Sequence, residues 1–287
     1  MERERFFYIL NYIKTNARSI QDNCRKFYDY MHRDNAYVIP DIKAASRIIF
    51  QKEGFKFLHI PMKSHEIGAF QLALNGNKYL VMNSSMSLAN NNFAVAHELY
   101  HLIIQNTKNE NGAEFYLNNY EENDDEMMAN AFAGAIMMPA EDFISTASML
   151  RDVNDASERM DDYYLEKMLE VLTLMEYYKT TYMSVVIRAY ELGVFDRGDS
   201  KLIDFFLEHN DEKVLMEIFK GLESKLGTES IMEATYEDDF GSLLEDAKKQ
   251  GQEYLKLGLI TEEDLEYRIN GMENAYESIK EGMHGGH

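Results

Sequence analysis

Residues 97–101 read His-Glu-Leu-Tyr-His, set in an apolar run with Phe93, Ala94, Val95 and Ala96 before it and Leu102, Ile103 and Ile104 after it. On a helix, positions i and i+4 project from one face about one turn apart. The spacing therefore puts two imidazoles side by side, with Glu98 next to the first, on an element whose neighbours are suited to burial. An isolated histidine on such a face is usually a packed core residue. Two of them with a glutamate between are costly to bury without a partner. A tetrahedral zinc ion, reached by both rings at roughly 2.0–2.1 Å, satisfies them. Glu98 is then placed to hydrogen-bond a water in the open coordination position and to take its proton. The pattern alone arises by chance in a chain of this size on the order of 1% of the time, so its surroundings carry much of the weight.

Zinc chemistry with an open position needs a third protein donor. The helix expected over 121–138 is the nearest source, offering Glu121, Glu122, Asp124, Asp125 and Glu126 ahead of an apolar run. Carboxylates favour helix N-termini for reasons unrelated to metals, which accounts well for Glu121, Asp124 and Asp125. It accounts less well for Glu126, which lies where the apolar pattern has begun. Glu122, Glu126 and Asn130 share one face by i, i+4 spacing, and Ala129 and Ala133 leave room for close helix packing.

Around these two segments the chain reads as mostly helical. A helical lead-in covers 1–35, with Phe6, Ile9, Leu10 and Ile13 at helical spacing, and a second helix spans 40–53 and stops at Gly54. Three strand-like runs follow, Phe55–Pro61, Gly68–Leu74 and Lys78–Asn83, and Asn75-Gly76-Asn77 marks a hairpin turn between the last two. The metal helix is expected over 91–105, a polar surface loop over 106–120, and helices throughout 141–199, with two of them joined at Thr180-Thr181. The segment 201–287 holds 9 basic and 21 acidic residues and reads as acidic helices separated by glycines, ending in a disordered tail.

Composition narrows the function classes. With 29 basic and 50 acidic residues in 287, the formal net charge is −21, which repels phosphate backbones and disfavours nucleic acid as a main partner. Between 176 and 199, Lys179, Arg188 and Arg197 stand against Glu176, Glu191, Asp196 and Asp199, so no basic stripe exists there either. A single cysteine, Cys24, excludes an intrachain disulfide and any multi-cysteine metal site, and fits a reducing cytoplasm. No run of eighteen apolar residues suggests a membrane span, and the apolar stretch at Phe6–Leu10 is too short for a signal peptide.

Two blocks together resemble the ImmA/IrrE family of metallopeptidases. Phe93-Ala-Val-Ala-His-Glu-Leu-Tyr-His matches that family's F-x-x-A-H-E-x-x-H helix. Glu126-Met-Met-Ala-Asn-Ala-Phe-Ala, running on to Met137-Met-Pro139, matches its E-x-x-A-N-x-F-A helix and L-M-P, with methionine for leucine at 137. Thr181 to Val194 is similar to the helix-turn-helix-like segment that often follows the peptidase core, with Ser184 and Ala189 departing from it. The resemblance implies an α+β, mostly helical fold. A zincin-like peptidase core with a small three-stranded sheet would occupy residues 1–145. A helical, helix-turn-helix-like segment would cover 146–199, whereas residues 200–287, an acidic helical region by their composition, carry no part of the resemblance. It also implies Zn²⁺ held by His97, His101 and Glu126, with Glu122 one turn earlier as the substitute third ligand, and Glu98 as catalytic base. The implied activity is a site-specific endopeptidase cut in a helix-turn-helix repressor of a mobile element or stress response, acting in trans. The alternative is a zinc-holding anti-repressor or antitoxin-binding protein that works without proteolysis. Tyr100, Tyr178 and Tyr182 are candidates for steadying the oxyanion, Tyr100 being the one expected to pack away from the metal.

Overall fold

A computed structural model describes residues 1–33, 36–74, 76–105, 124–156, 163–226 and 231–281, the side chains at 152–156 and 222–226 excepted. The loop expected at 106–120, the tail after 281, and Glu121 and Glu122 lie outside the described residues. The fold is mostly helical with one small sheet. In chain order it runs α1 (Arg3–Thr15), α2 (Ala17–Tyr30), α3 (Ile42–Lys52), β1 (Phe55–Ile60), β2 (Ala69–Leu74), β3 (Asn77–Asn83) and α4 (Leu88–Leu99). A π-helical turn (Tyr100–Ile104) follows, then α5 (Asp124–Met137), α6 (Ala140–Ala156), α7 (Tyr163–Tyr178) and α8 (Tyr182–Glu191). The remainder is α9 (Ser200–Glu208), α10 (Glu212–Leu226), α11 (Phe240–Lys256) and α12 (Glu262–Lys280). Among the described residues, no helix is long and apolar enough to cross a membrane.

The chain divides into two compact units. One holds α1, α2, α4 with its π-turn, and α5 to α10; the other holds the sheet with α11 and α12. In the helical unit, α4 and α5 pack closely because the residues between them are small: Ala96, Ala129 and Ala133 are fully buried, next to Val95, Leu99, Phe132 and Ile136. Phe132 meets Phe27 of α2 edge-on, with ring centroids 5.8 Å apart, and Tyr100 at 5.7 Å. The expected lead-in helix is two helices, broken at Asn16, whose backbone N–H closes on the Tyr12 carbonyl at 2.9 Å. Between α7 and α8 the expected turn is present, with Thr181 as N-cap accepting from the Ser184 N–H. Lys179, just before it, has φ +51°.

In the other unit the sheet order is β1-β3-β2. The hairpin is antiparallel and in register from Ala69↔Met82 to Leu74↔Asn77, a two-residue connection with Gly76 at φ +77°. β1 runs parallel to β3, from Phe55↔Lys78 to Ile60↔Asn83. Central β3 is buried along Tyr79–Asn83, as a strand covered on both sides should be. Leu58, Ile60, Phe70, Leu72 and Val81 form an apolar cluster with Ile279 of α12, and Leu243 and Tyr276 pack against it. At the end of β3, buried Asn83 acts as a hub. Its amide donates to the Ser64 and Ile67 carbonyls at 2.8 and 2.9 Å, and its oxygen accepts from the Met62 N–H and the Ser85 hydroxyl at 3.1 and 2.6 Å.

Candidate metal centre

The helix that carries the motif is anchored at its start. A helix start leaves backbone N–H groups without internal partners. Here Leu88 and Ala89 donate to the carbonyls of Glu233 and Ile231, at 3.0 and 2.9 Å. Further along, the Asn92 amide donates to the Lys179 carbonyl at 2.9 Å and ties α4 to the α7–α8 turn. The α-helix ends at Leu99, and His101 lies in the π-turn, where the Gln105 N–H bonds the Tyr100 carbonyl five residues back at 3.2 Å. Such one-turn π segments concentrate at functional sites.

Facing this element is the first turn of α5, which carries Asp124, Asp125 and Glu126 where the helix dipole favours negative charge. The Tyr12 hydroxyl donates to the Asp124 carbonyl at 2.9 Å and fixes where α5 begins. Burial, together with the neighbouring Asp124, pushes the Tyr12 hydroxyl pKa up, so it stays a donor.

The histidine Nε2 atoms of His97 and His101 lie 3.0 Å apart. Glu126 places Oε2 3.1 Å from the first and Oε1 3.5 Å from the second. His97, His101 and Glu126 can present ligand atoms that all lie within 4.8 Å of one another. Donors about 2.05 Å from a tetrahedral ion stand about 3.3 Å apart, near the 3.0 Å between the two imidazole nitrogens, and one carboxylate oxygen faces each ring at a similar distance. The donor set of two imidazoles and one carboxylate suits zinc. On the other side of each ring, His97 Nδ1 meets the Asn130 side-chain oxygen at 2.9 Å, and His101 Nδ1 meets that of Gln105 at 2.7 Å.

The charges are arranged to be paired. Burial opposes protonation of His97, but the Glu126 hydrogen bond, the nearby Glu98 and Glu126 charges and Asn130 outweigh it and hold the ring above its ordinary pKa. Burial likewise opposes charge on Glu126, and is outweighed by the His97 hydrogen bond and by the His97 and His101 charges, which hold its carboxyl below the usual range. Glu98 is 7% exposed and His97 9%, so the motif faces the protein interior more than bulk water.

Of the residues singled out in the sequence, His97, His101 and Glu126 come together, with Glu98 buried beside His97. Two of the three candidate tyrosines have partners of their own. Tyr178 donates its hydroxyl to Asp142 at 2.7 Å and Tyr182 to the Phe206 carbonyl at 3.2 Å, so both serve packing. Tyr100, expected to pack away from the metal, packs edge-on against the His101 ring, with centroids 5.6 Å apart. Asn130 was visible only as a residue on the Glu126 face, and Gln105 only as the end of the helix. Asn130 also lines a hollow of about 260 Å³ with Ile9, Phe93, Met127, Gly134 and Arg188.

Residues 50–190 match the family model described as the IrrE N-terminal-like domain, a peptidase family. No curated protein matches the chain.

Proposed function

The chain belongs to the ImmA/IrrE family of metallopeptidases, and on that premise we propose that it is a zinc-dependent endopeptidase that makes a site-specific cut in a regulatory protein. The observation that carries the reading is the convergence of His97 Nε2, His101 Nε2 and the Glu126 carboxylate at 3.0–3.5 Å. We assign these three residues as ligands and Glu98 as general base. Zinc bound there supplies a Lewis acid for the scissile carbonyl and lowers the pKa of water.

The chain's own groups do the proton work. Glu98 accepts the proton of the attacking water as the oxygen–carbon bond forms, then passes it to the amine as the carbon–nitrogen bond breaks. Its burial limits competition from bulk water for that proton.

The resemblance in the two motif helices supports a helix-turn-helix repressor, acting in trans, as the substrate. A formal net charge of −21 is consistent with a protein partner over nucleic acid. The proposal places the protein in the cytoplasm. A single cysteine, Cys24, suits a reducing compartment, and burial pushes its thiol up to about 12.

The test is Glu98→Gln with the repressor encoded nearest this gene, followed by gel and mass spectrometry. Cleavage should fall by about 10²–10⁴-fold while bound zinc is retained. If the repressor is still inactivated at the wild-type rate by the variant, proteolysis is not the function.

A further inference from the structure

We infer that Asn130 and Gln105 are positioning residues for the metal centre, a matched pair of amide oxygens that lock both histidines in the tautomer with Nε2 free. The inference rests on the metal reading of the same site and extends it to residues that hold no metal themselves.

A neutral imidazole has one lone pair available for an ion, and the hydrogen bond at its other nitrogen decides which one. An amide oxygen is a permanent acceptor that does not titrate. With Asn130 Oδ1 2.9 Å from His97 Nδ1 and Gln105 Oε1 2.7 Å from His101 Nδ1, each ring proton is held on the outer side. Both Nε2 atoms then face the Glu126 carboxylate, 3.1 and 3.5 Å away, where an ion would accept their lone pairs.

The two braces come from different elements. Asn130 is one turn beyond Glu126 on α5, so a single helix supplies the carboxylate and orients the opposite imidazole. Gln105 is one turn beyond His101, directly after the π-turn. Loss of either amide would free one ring to take the other tautomer and present an Nε2–H inward, where the ion needs a lone pair. The choice of amide also matters. A carboxylate at the same place pulls on the Nδ1 proton and makes the imidazole a stronger ligand, whereas an amide leaves it a plain neutral ring. Asn130 is exposed and Gln105 is partly so, so trimming them leaves the packed interface of Ala129, Phe132 and Ala133 intact.

The experiment measures zinc affinity of the full chain by competition with a chromophoric chelator, and records the visible spectrum of the cobalt-loaded protein. Wild type is compared with Asn130→Ala, Gln105→Ala and Asn130→Asp, using the melting temperature of each metal-free protein as the folding control. Each alanine variant should bind zinc about 10–100-fold more weakly, with an altered cobalt spectrum and an unchanged metal-free melt. Asn130→Asp should bind at least as tightly as wild type, a rescue that a merely structural role for Asn130 would not produce. If both alanine variants hold zinc within threefold of wild type, the inference is overturned and the ligand assignment survives. If wild type itself binds no zinc, the ligand assignment falls and takes the inference with it.

Discussion

Removing the Glu126 carboxylate is the sharpest single perturbation of the centre. Structural zinc sites bind with about 10–16 kcal/mol spread over four ligands, so one ligand accounts for roughly 2.5–4 kcal/mol. Glu126 would supply the one charged donor of the proposed centre, and each of its oxygens faces one ring, at 3.1 and 3.5 Å. At about 1.4 kcal/mol per decade, Glu126→Ala should weaken zinc binding about 10²–10³-fold. Glu126→Gln, which keeps the shape but not the charge, should fall between wild type and Glu126→Ala. Titration of the metal-free protein against a chromophoric chelator reads both, with Glu98→Gln as a control that should stay within a few-fold of wild type. A loss of less than tenfold for Glu126→Ala would refute the reasoning, and would be the expected result were Glu122 the third donor.

Three further outcomes follow from the geometry. The raised pKa of His97 stabilises the metal-free fold below about pH 6.5 and is lost as pH rises through the folded-state value; the lowered pKa of Glu126 stabilises it above the ordinary carboxylate range and is lost as pH falls through its folded-state value. Urea midpoints of the metal-free protein should therefore peak in mildly acid solution, and Glu126→Gln should flatten the profile; a steady rise of the wild-type midpoint towards alkaline pH would contradict the pairing. Phe132→Ala removes a fully buried ring that touches Phe27 and Tyr100, and should cost about 3–5 kcal/mol in chemical denaturation; a cost under about 1 kcal/mol would reject that packing. Gly134→Ala should instead raise stability by roughly 0.5–1 kcal/mol, because Gly134 is inside α5 and a Cβ there meets no atom within 4 Å. A lowered melting temperature for that variant would mean the hollow beside Asn130 is filled.

Much of the centre could be read from spacing, because i, i+4 geometry leaves little freedom. His97 and His101 had to share a face, and Glu126 stood out as a carboxylate already inside an apolar pattern. The hairpin was equally legible, since a two-residue turn with glycine at positive φ fixes the register of β2 on β3. The parallel pairing of β1 with β3 was not, because alternation of side chains says which face is buried but not which strand lies alongside, or in which direction. Nor could the sequence show that Leu243, Tyr276 and Ile279 pack on that sheet, since such contacts are set by shape across some two hundred residues of intervening chain. Asn130 and Gln105 escaped for a different reason. A side-chain amide beside a histidine is an ordinary helix-surface residue until the second helix is in place. The π-turn was invisible because Leu102, Ile103 and Ile104 fit an α-helical apolar stretch as well as a wider one.

That change of winding has a practical consequence for anyone who would transplant this centre. The rings of His97 and His101 stand 4.9 Å apart and are tilted by 55°, and the backbone between the second ring and its amide brace is not ideal helix. Copying the five-residue motif onto a straight α-helical scaffold would reproduce the letters while swinging the residue four places after His101 off its bearing. A graft would have to carry the over-wide turn through Gln105 along with it.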